Sequence, residues 1–175
     1  LKIVIDTNVL VQIMQNEGAR DLRDPETGEI VTNAFKRAQA LVERIESVRG
    51  IVVLPAPVVA EYLMGIDRGS YQQHLDIING VKCIEIAPFD QLAAIECAML
   101  VTNQEMKMLD PDSTMAKLKY DRQILAISIA AGAKEIWTHD KQLIKRAGAV
   151  GILAKSLTGI DANPEQLNFH KEIQP

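Results

Sequence analysis

Five short apolar runs, rich in β-branched residues, recur along the chain: Ile3–Ile5, Ile51–Leu54, Val81–Ile86, Ile136–Thr138 and Val150–Leu153. Between them lie stretches whose apolar residues recur at helical spacing. An unbroken β-branched run suits a strand covered on both faces. Strands that alternate with helices pair in parallel, because each crossover helix returns the chain to the edge of the sheet where the previous strand began. The expected architecture is α/β: a Rossmann-like, mainly parallel five-stranded sheet flanked by helices.

The connections carry their own signals. Val9–Gln15 reads as a short first helix. Residues 16–33 turn polar, and Asp24-Pro25-Glu26-Thr27-Gly28 marks a tight turn with Glu29–Thr32 as the returning arm of a hairpin. This segment is expected as an insertion at the rim. Phe35, Ala38, Leu41, Val42, Ile45 and Val48 then share a helical face that Thr32 or Asn33 opens and Gly50 closes. Pro55 and Pro57 end the second strand and open a helix carrying Glu61. Ser70 is placed to cap a helix through Ile78. Asp90 caps another, with Leu92, Ile95, Met99 and Met106 on its buried face. The methionine-rich stretch from Met99 to Met115 reads as core filler. A turn at Asp110–Ser113 precedes a helix through Tyr120 and Ile127, and a last helix runs through Leu143 to Gly148. Residues 1–157 are expected as one domain and 158–175 as a tail that Leu167 and Phe169 can dock.

Four acids fall where this topology converges. Asp6 and Asp140 come at the ends of the first and fourth strands, at the carboxyl edge where open α/β sheets keep their crevices. Glu61 lies within about two turns of the start of the helix after the second strand. Asp121 lies early in the helix leading into the fourth. Each acid alone has an ordinary reading, since Asp6 and Asp140 can cap helices and Asp121 can favour a helix N-terminus. Four carboxylates on one rim raise each other's pKa, and a divalent cation resolves that conflict. Oxygen-only donors suit Mg²⁺ or Mn²⁺, and no His/Cys cluster suggests zinc. The chemistry such a site supports is metal-assisted hydrolysis of a phosphodiester.

The ordered stretches Asp6-Thr7-Asn8, Ala60-Glu61-Tyr62-Leu63-Met64-Gly65, Asp121-Arg122-Gln123-Ile124-Leu125-Ala126 and Trp137-Thr138-His139-Asp140-Lys141-Gln142-Leu143 resemble the four signature blocks of PIN-domain nucleases. That resemblance implies a Mg²⁺/Mn²⁺-dependent ribonuclease with Asp6, Glu61, Asp121 and Asp140 as metal site and catalytic acids. It implies that Asn8 and Thr138 orient the first and last acids or a metal-bound water. Small bacterial and archaeal members are often toxins of the VapC type, dimeric and held inactive by an antitoxin, so RNA, an antitoxin and a second copy are the expected partners. Pro55 stands where many relatives have Ser or Thr, which removes a supporting hydroxyl. The insertion, the Met106–Leu118 approach and the tail make this chain longer than the compact toxins.

Lys119, Arg122, Lys141, Lys145 and Arg146 are expected near the rim as holders of RNA phosphates or as solvated helix faces. His139 adjoins the site without a recognisable partner, while His74, His170 and Trp137 read as structural. The net charge of −4 argues against a protein that coats nucleic acid broadly. Cys83 and Cys97 lack metal-ligand spacing and no leader precedes them, so a reduced, cytoplasmic setting is expected. No apolar run is long enough to span a bilayer. The chain opens on Leu1, and a few native residues are expected before it. A rival reading keeps the fold as a catalytically silent RNA- or protein-binding module. Phosphatases of the haloacid-dehalogenase type need a second acid where Asn8 stands, and P-loop enzymes need a Gly-rich loop that is absent.

Overall fold

A computed structural model describes residues 1–15, 19–100 and 102–162. Its strands are β1 (Lys2–Ile5), β2 (Ile51–Pro55), β3 (Ile84–Ala87), β4 (Glu135–Trp137) and β5 (Leu153–Lys155). All pair in parallel, in the order β3-β2-β1-β4-β5. In the central strand Ile3, Val4 and Ile5 are fully buried, as a strand covered on both faces requires. From β1 the chain steps outward to β2 and β3, then crosses back to lay β4 on the other side of β1. The order therefore reverses between β1 and β4, and a crevice opens at their carboxyl ends.

The helices are α1 (Thr7–Gln15), α2 (Ala34–Ser47), α3 (Ala56–Met64), α4 (Tyr71–Gly80), α5 (Gln91–Met99), α6 (Asn103–Leu109), α7 (Met115–Ala130) and α8 (Lys141–Ala149). Ala38, Leu41, Val42 and Ile45 give α2 its buried stripe, while Val48 lies beyond the helix and is exposed. At the end of α2 it is Arg49, not Gly50, that takes the left-handed conformation. Gly50 answers a different need. A Cβ there would stand 2.8 Å from the carbonyl oxygen of Leu1, so only glycine lets the chain pass the start of β1. The rim hairpin forms as a single antiparallel bridge between Arg23 and Ile30 around the Asp24–Gly28 turn, and Leu22 and Val31 anchor it in the core. Residues 16–18 of the insertion lie outside the described residues, as do Leu167, Phe169 and His170. The chain after β5 already docks before them, through buried Leu157 and Ile160, and Arg37 donates to the Ile160 carbonyl.

Several expectations shift. The first helix starts at Thr7 rather than Val9, the third strand at Ile84 rather than Val81, and the fifth covers Leu153–Lys155. Ser70 makes no side-chain cap; Asp67 caps a 3₁₀ turn over Arg68–Ser70 instead. The largest correction concerns α5. Leu92, Ile95 and Met99 are exposed, at 50%, 49% and 75%, and Ala93 is the residue turned inward. The helix packs on α7 through its small side, leaving its bulky apolar residues on the surface. Nor does it continue to Met106. Thr102 opens α6 with a capping box, its hydroxyl accepting from the Glu105 amide while the Glu105 carboxylate accepts from the Thr102 amide. Met106 is buried, as its apolar spacing implies. Among the described residues no helix is long and apolar enough to cross a membrane.

Candidate metal centre

Asp6 stands at the strand-order reversal. Its amide donates to the Trp137 carbonyl at 3.0 Å, and its own carbonyl accepts from Val9 and Leu10 to start α1. The side chain is only 7% exposed. Oδ1 accepts from the Thr7 amide at 2.7 Å, and Oδ2 accepts from Asn8 Nδ2 at 2.6 Å and Thr138 Oγ1 at 2.7 Å. Burial pushes its pKa up to about 6. The bonds from Thr138 and Thr7 oppose that rise, and the charges of Glu61 and Asp140 add to it.

Thr138 is fully buried behind Asp6. Its hydroxyl also accepts from the Asp140 amide at 3.0 Å and from Asn8 Nδ2 at 3.3 Å, while Asn8 Oδ1 accepts from the His139 amide at 3.1 Å. One threonine and one asparagine thus couple the ends of β1 and β4. Asp140 caps α8 through Oδ1, which accepts from Gln142 at 2.7 Å and Leu143 at 3.3 Å. Its Oδ2 meets Lys117 Nζ at 2.5 Å. Burial alone would raise its pKa, but the Lys117 ammonium and the α8 amides outweigh it and hold the carboxyl below its usual range.

Asp121 is buried, and burial raises its pKa against the pull of Arg146, whose Nη1 donates to Asp121 Oδ2. Glu61 is exposed and accepts from the Thr7 hydroxyl. Helical spacing brings Lys117, Tyr120, Asp121 and Ile124 to one face of α7. Together with Asp6, Asn8, Glu61, Met64 and Asp140, that face lines a single open cavity of about 540 Å³.

All four acids expected from the sequence therefore share one cavity, with Asn8 beside them and Thr138 behind. The expected basic residues behave otherwise. Lys119 and Lys141 are exposed and lie outside the cavity lining. Arg122 is half-buried and donates to the carbonyls of Cys97, at 2.5 Å, and Leu100, at 3.4 Å, where it secures the last turn of α5 instead of the rim. Arg146 is fully buried and points at acids of its own chain, because Leu143, Arg146 and Ala147 form the inward stripe of α8. His139 Nε2 accepts from the Leu157 amide at 3.0 Å, so the ring is neutral, and its Nδ1 donates to the Arg23 carbonyl at 2.8 Å. Burial lowers its pKa accordingly, and it serves to tie the hairpin and the Leu157 turn to β4. Lys117 and Tyr120 are cavity residues that sequence reasoning missed. Lys117 stands four residues before Asp121, the spacing that stacks two side chains on one helix face, and this was readable.

The carboxylates that would hold a divalent cation each already have a partner within the chain. Thr7 engages Glu61, Thr138 and Asn8 engage Asp6, Arg146 engages Asp121, and Lys117 engages Asp140. Among the described residues no three acids, histidines or cysteines form a ready ligand cage. Magnesium does not demand one. It keeps several waters and takes one or two carboxylates directly, so an oxygen-only cavity with room for water fits it. The Lys117 ammonium on Asp140 is a second sign that this cavity attracts positive charge.

An acid-lined crevice at the reversal of a parallel β3-β2-β1-β4-β5 sheet defines the class. Residues 3–149 match the PIN domain family model, and the chain belongs to that family. The fold is similar to that of VapBC2 from Rickettsia felis, solved bound to a DNA fragment from its promoter. The two share 16% identity over 89% of this chain and 98% of that one, with a TM-score of 0.57. It is also similar to DNA-bound VapBC from Salmonella typhimurium, at 17% identity over 90% and 98% of the two chains and a TM-score of 0.55. No curated protein matches the sequence significantly.

Proposed function

We propose that the cavity holds Mg²⁺ or Mn²⁺ on Asp6, Glu61, Asp121 and Asp140 and hydrolyses RNA phosphodiesters, and that the chain is the toxin of a cytoplasmic toxin–antitoxin pair. The observation that carries the reading is the meeting of four carboxylates, distant in sequence, in one open cavity of a PIN-family domain. A bound divalent cation supplies a lower pKa for an attacking water and neutralises charge at the phosphate. The chain's own part is positional. Asn8 and Thr138 fix the Asp6 carboxylate, since Asn8 Nδ2 and Thr138 Oγ1 both donate to its Oδ2. Lys117 balances Asp140 until cation or substrate arrives, and its flexible ammonium then suits a phosphate oxygen. Met64 and Tyr120 add apolar wall beside the acids, which suits a nucleobase turned out of its stack.

An antitoxin partner is supported by the fold's likeness to the two VapBC complexes. A second copy is supported by the exposed apolar surface of Leu92, Ile95 and Met99 on α5, because a contiguous face of this kind marks an interaction site. The test is cleavage of a labelled single-stranded RNA by purified protein with Mn²⁺, with Mg²⁺ and with EDTA, alongside Asp6→Asn. Cleavage is expected with metal alone and is lost in the variant. Equal cleavage by both proteins refutes the assignment of this site. RNA binding without cleavage by either favours the silent module.

A further inference from the structure

Arg146 makes an arrangement that fold stability explains poorly. Its guanidinium is fully buried and bridges two carboxylates: Nη1 donates to Asp121 Oδ2, and Nη2 donates to Asp110 Oδ2 at 3.0 Å and to Ser113 Oγ at 2.6 Å. The Ser113 hydroxyl in turn donates to Asp110, so these two anchors lock together. Arg146 Nε is buried without a hydrogen-bond partner among the described residues. A buried ion pair often contributes no more than a well-packed apolar side chain of similar volume, and an orphaned donor adds a cost. What the arrangement does achieve is geometric. Asp110 and Ser113 lie in the turn between α6 and α7, Asp121 lies in the second turn of α7, and Arg146 comes from the helix that Asp140 begins.

We propose that Arg146, held by Asp110 and Ser113, is a positioning residue that fixes the Asp121 carboxylate for cation binding. This rests on the metal-site reading above. Arg146 takes Oδ2 of Asp121 and leaves Oδ1 outside this set of bonds, on a residue that lines the cavity. A carboxylate with one oxygen fixed can rotate neither away from the cavity nor onto the neighbouring Lys117. The guanidinium fork suits this work, because its planar donors address two acceptors in fixed directions where an ammonium would not. The clamp also sets α8 against α7, and with it the spacing of Asp140 from Asp121. Outer partners of metal ligands act in this way generally. Neither Asp110 nor Ser113 lines the cavity, so each can be altered without touching a ligand.

The experiment measures Mn²⁺ binding by the loss of the free-ion electron paramagnetic resonance signal, at a temperature where circular dichroism shows each protein fully folded. Wild type is compared with Ser113→Ala and Asp110→Asn, both of which keep Arg146 and all four acids. Both variants are expected to bind Mn²⁺ roughly 10–100-fold more weakly, the usual effect of removing an outer partner of a metal ligand. A network that served stability alone would lower the melting temperature and leave the affinity of the folded protein unchanged. Wild-type affinity in both folded variants overturns the positioning role and spares the metal site. A wild type that binds no Mn²⁺ overturns both.

Discussion

The raised pKa of Asp6 makes a signed prediction about stability. In the folded chain the carboxyl is pushed up to about 6 by burial, against an ordinary value of 3.8. The folded state therefore binds this proton more tightly than the unfolded state does. Below pH 3.8 both states are protonated and the full stabilising contribution is present. It is lost as pH rises through about 6, since unfolding then releases a buried carboxylate to water. A shift of this size corresponds to about 3 kcal/mol in all, of which about 2 falls between pH 4.5 and 7.5. Other groups titrate in the same range, some in the opposite direction, so wild type alone cannot isolate the term. The difference between Asp6→Asn and wild type can. The asparagine amide will meet donors at Asn8 and Thr138, but that clash does not change with pH and cancels from the slope. Urea unfolding of both proteins in EDTA, from pH 4.5 to 7.5, should show the variant gaining about 2 kcal/mol relative to wild type as pH rises. A flat or falling difference refutes the claim that Asp6 is ionised at a desolvation cost in the metal-free chain.

Three further outcomes are expected. Thr138→Val keeps the shape but removes a buried donor to Asp6 and the acceptor of the Asp140 amide, so urea unfolding should report a loss of about 2–3 kcal/mol with a sharp fall in RNA cleavage. Leu92→Glu changes a half-exposed residue on the apolar face of α5, and light scattering should show a dimer reverting to monomer with the melting temperature of the fold nearly unchanged. Saturating Mn²⁺ at about 100 times its dissociation constant should stabilise wild type by about 2.7 kcal/mol, read as a melting-temperature rise that Asp6→Asn does not show.

How far the sequence carried the reading can be seen at particular residues. Strand–helix alternation and the acid edge follow from period and connection rules, so the meeting of Asp6, Glu61, Asp121 and Asp140 was legible without coordinates, while the strand order was not. Asn8 and Thr138 were legible as polar neighbours of strand ends, though not as partners of the same oxygen. The α5 face was misread because Leu92, Ile95 and Met99 have the spacing of a core stripe, and spacing alone does not say whether a stripe faces its own core or another molecule. Thr102-Asn103-Gln104-Glu105 carried a capping-box signal that should have divided that helix. Arg146 was expected near the rim, as a holder of phosphate or on a solvated helix face. Its inward position depends on Asp110 and Asp121, which lie 36 and 25 residues away, and no local pattern links them.

The misplacement of Arg146 has a cause that bears on how the site exists at all. A cavity holding four acids ought to resist folding without a cation, yet each acid meets a different form of compensation. Asp6 has a fan of neutral donors, Glu61 a hydroxyl and open water, Asp121 a buried guanidinium, and Asp140 helix amides together with a half-exposed ammonium. The partners come from α1, α7, α8 and the end of β4, so the compensation is tertiary and invisible to any window of sequence. It also divides the acids by how readily they can be released. The Lys117 ammonium is partly solvated and can leave Asp140 cheaply, as exposed ion pairs hold loosely. Arg146 cannot leave Asp121 without stranding buried charge, a loss of several kcal/mol. Asp121 is thus the fixed point of the site and Asp140 its adjustable one. Their unequal mobility follows from the burial of two cations rather than from anything in the acids themselves.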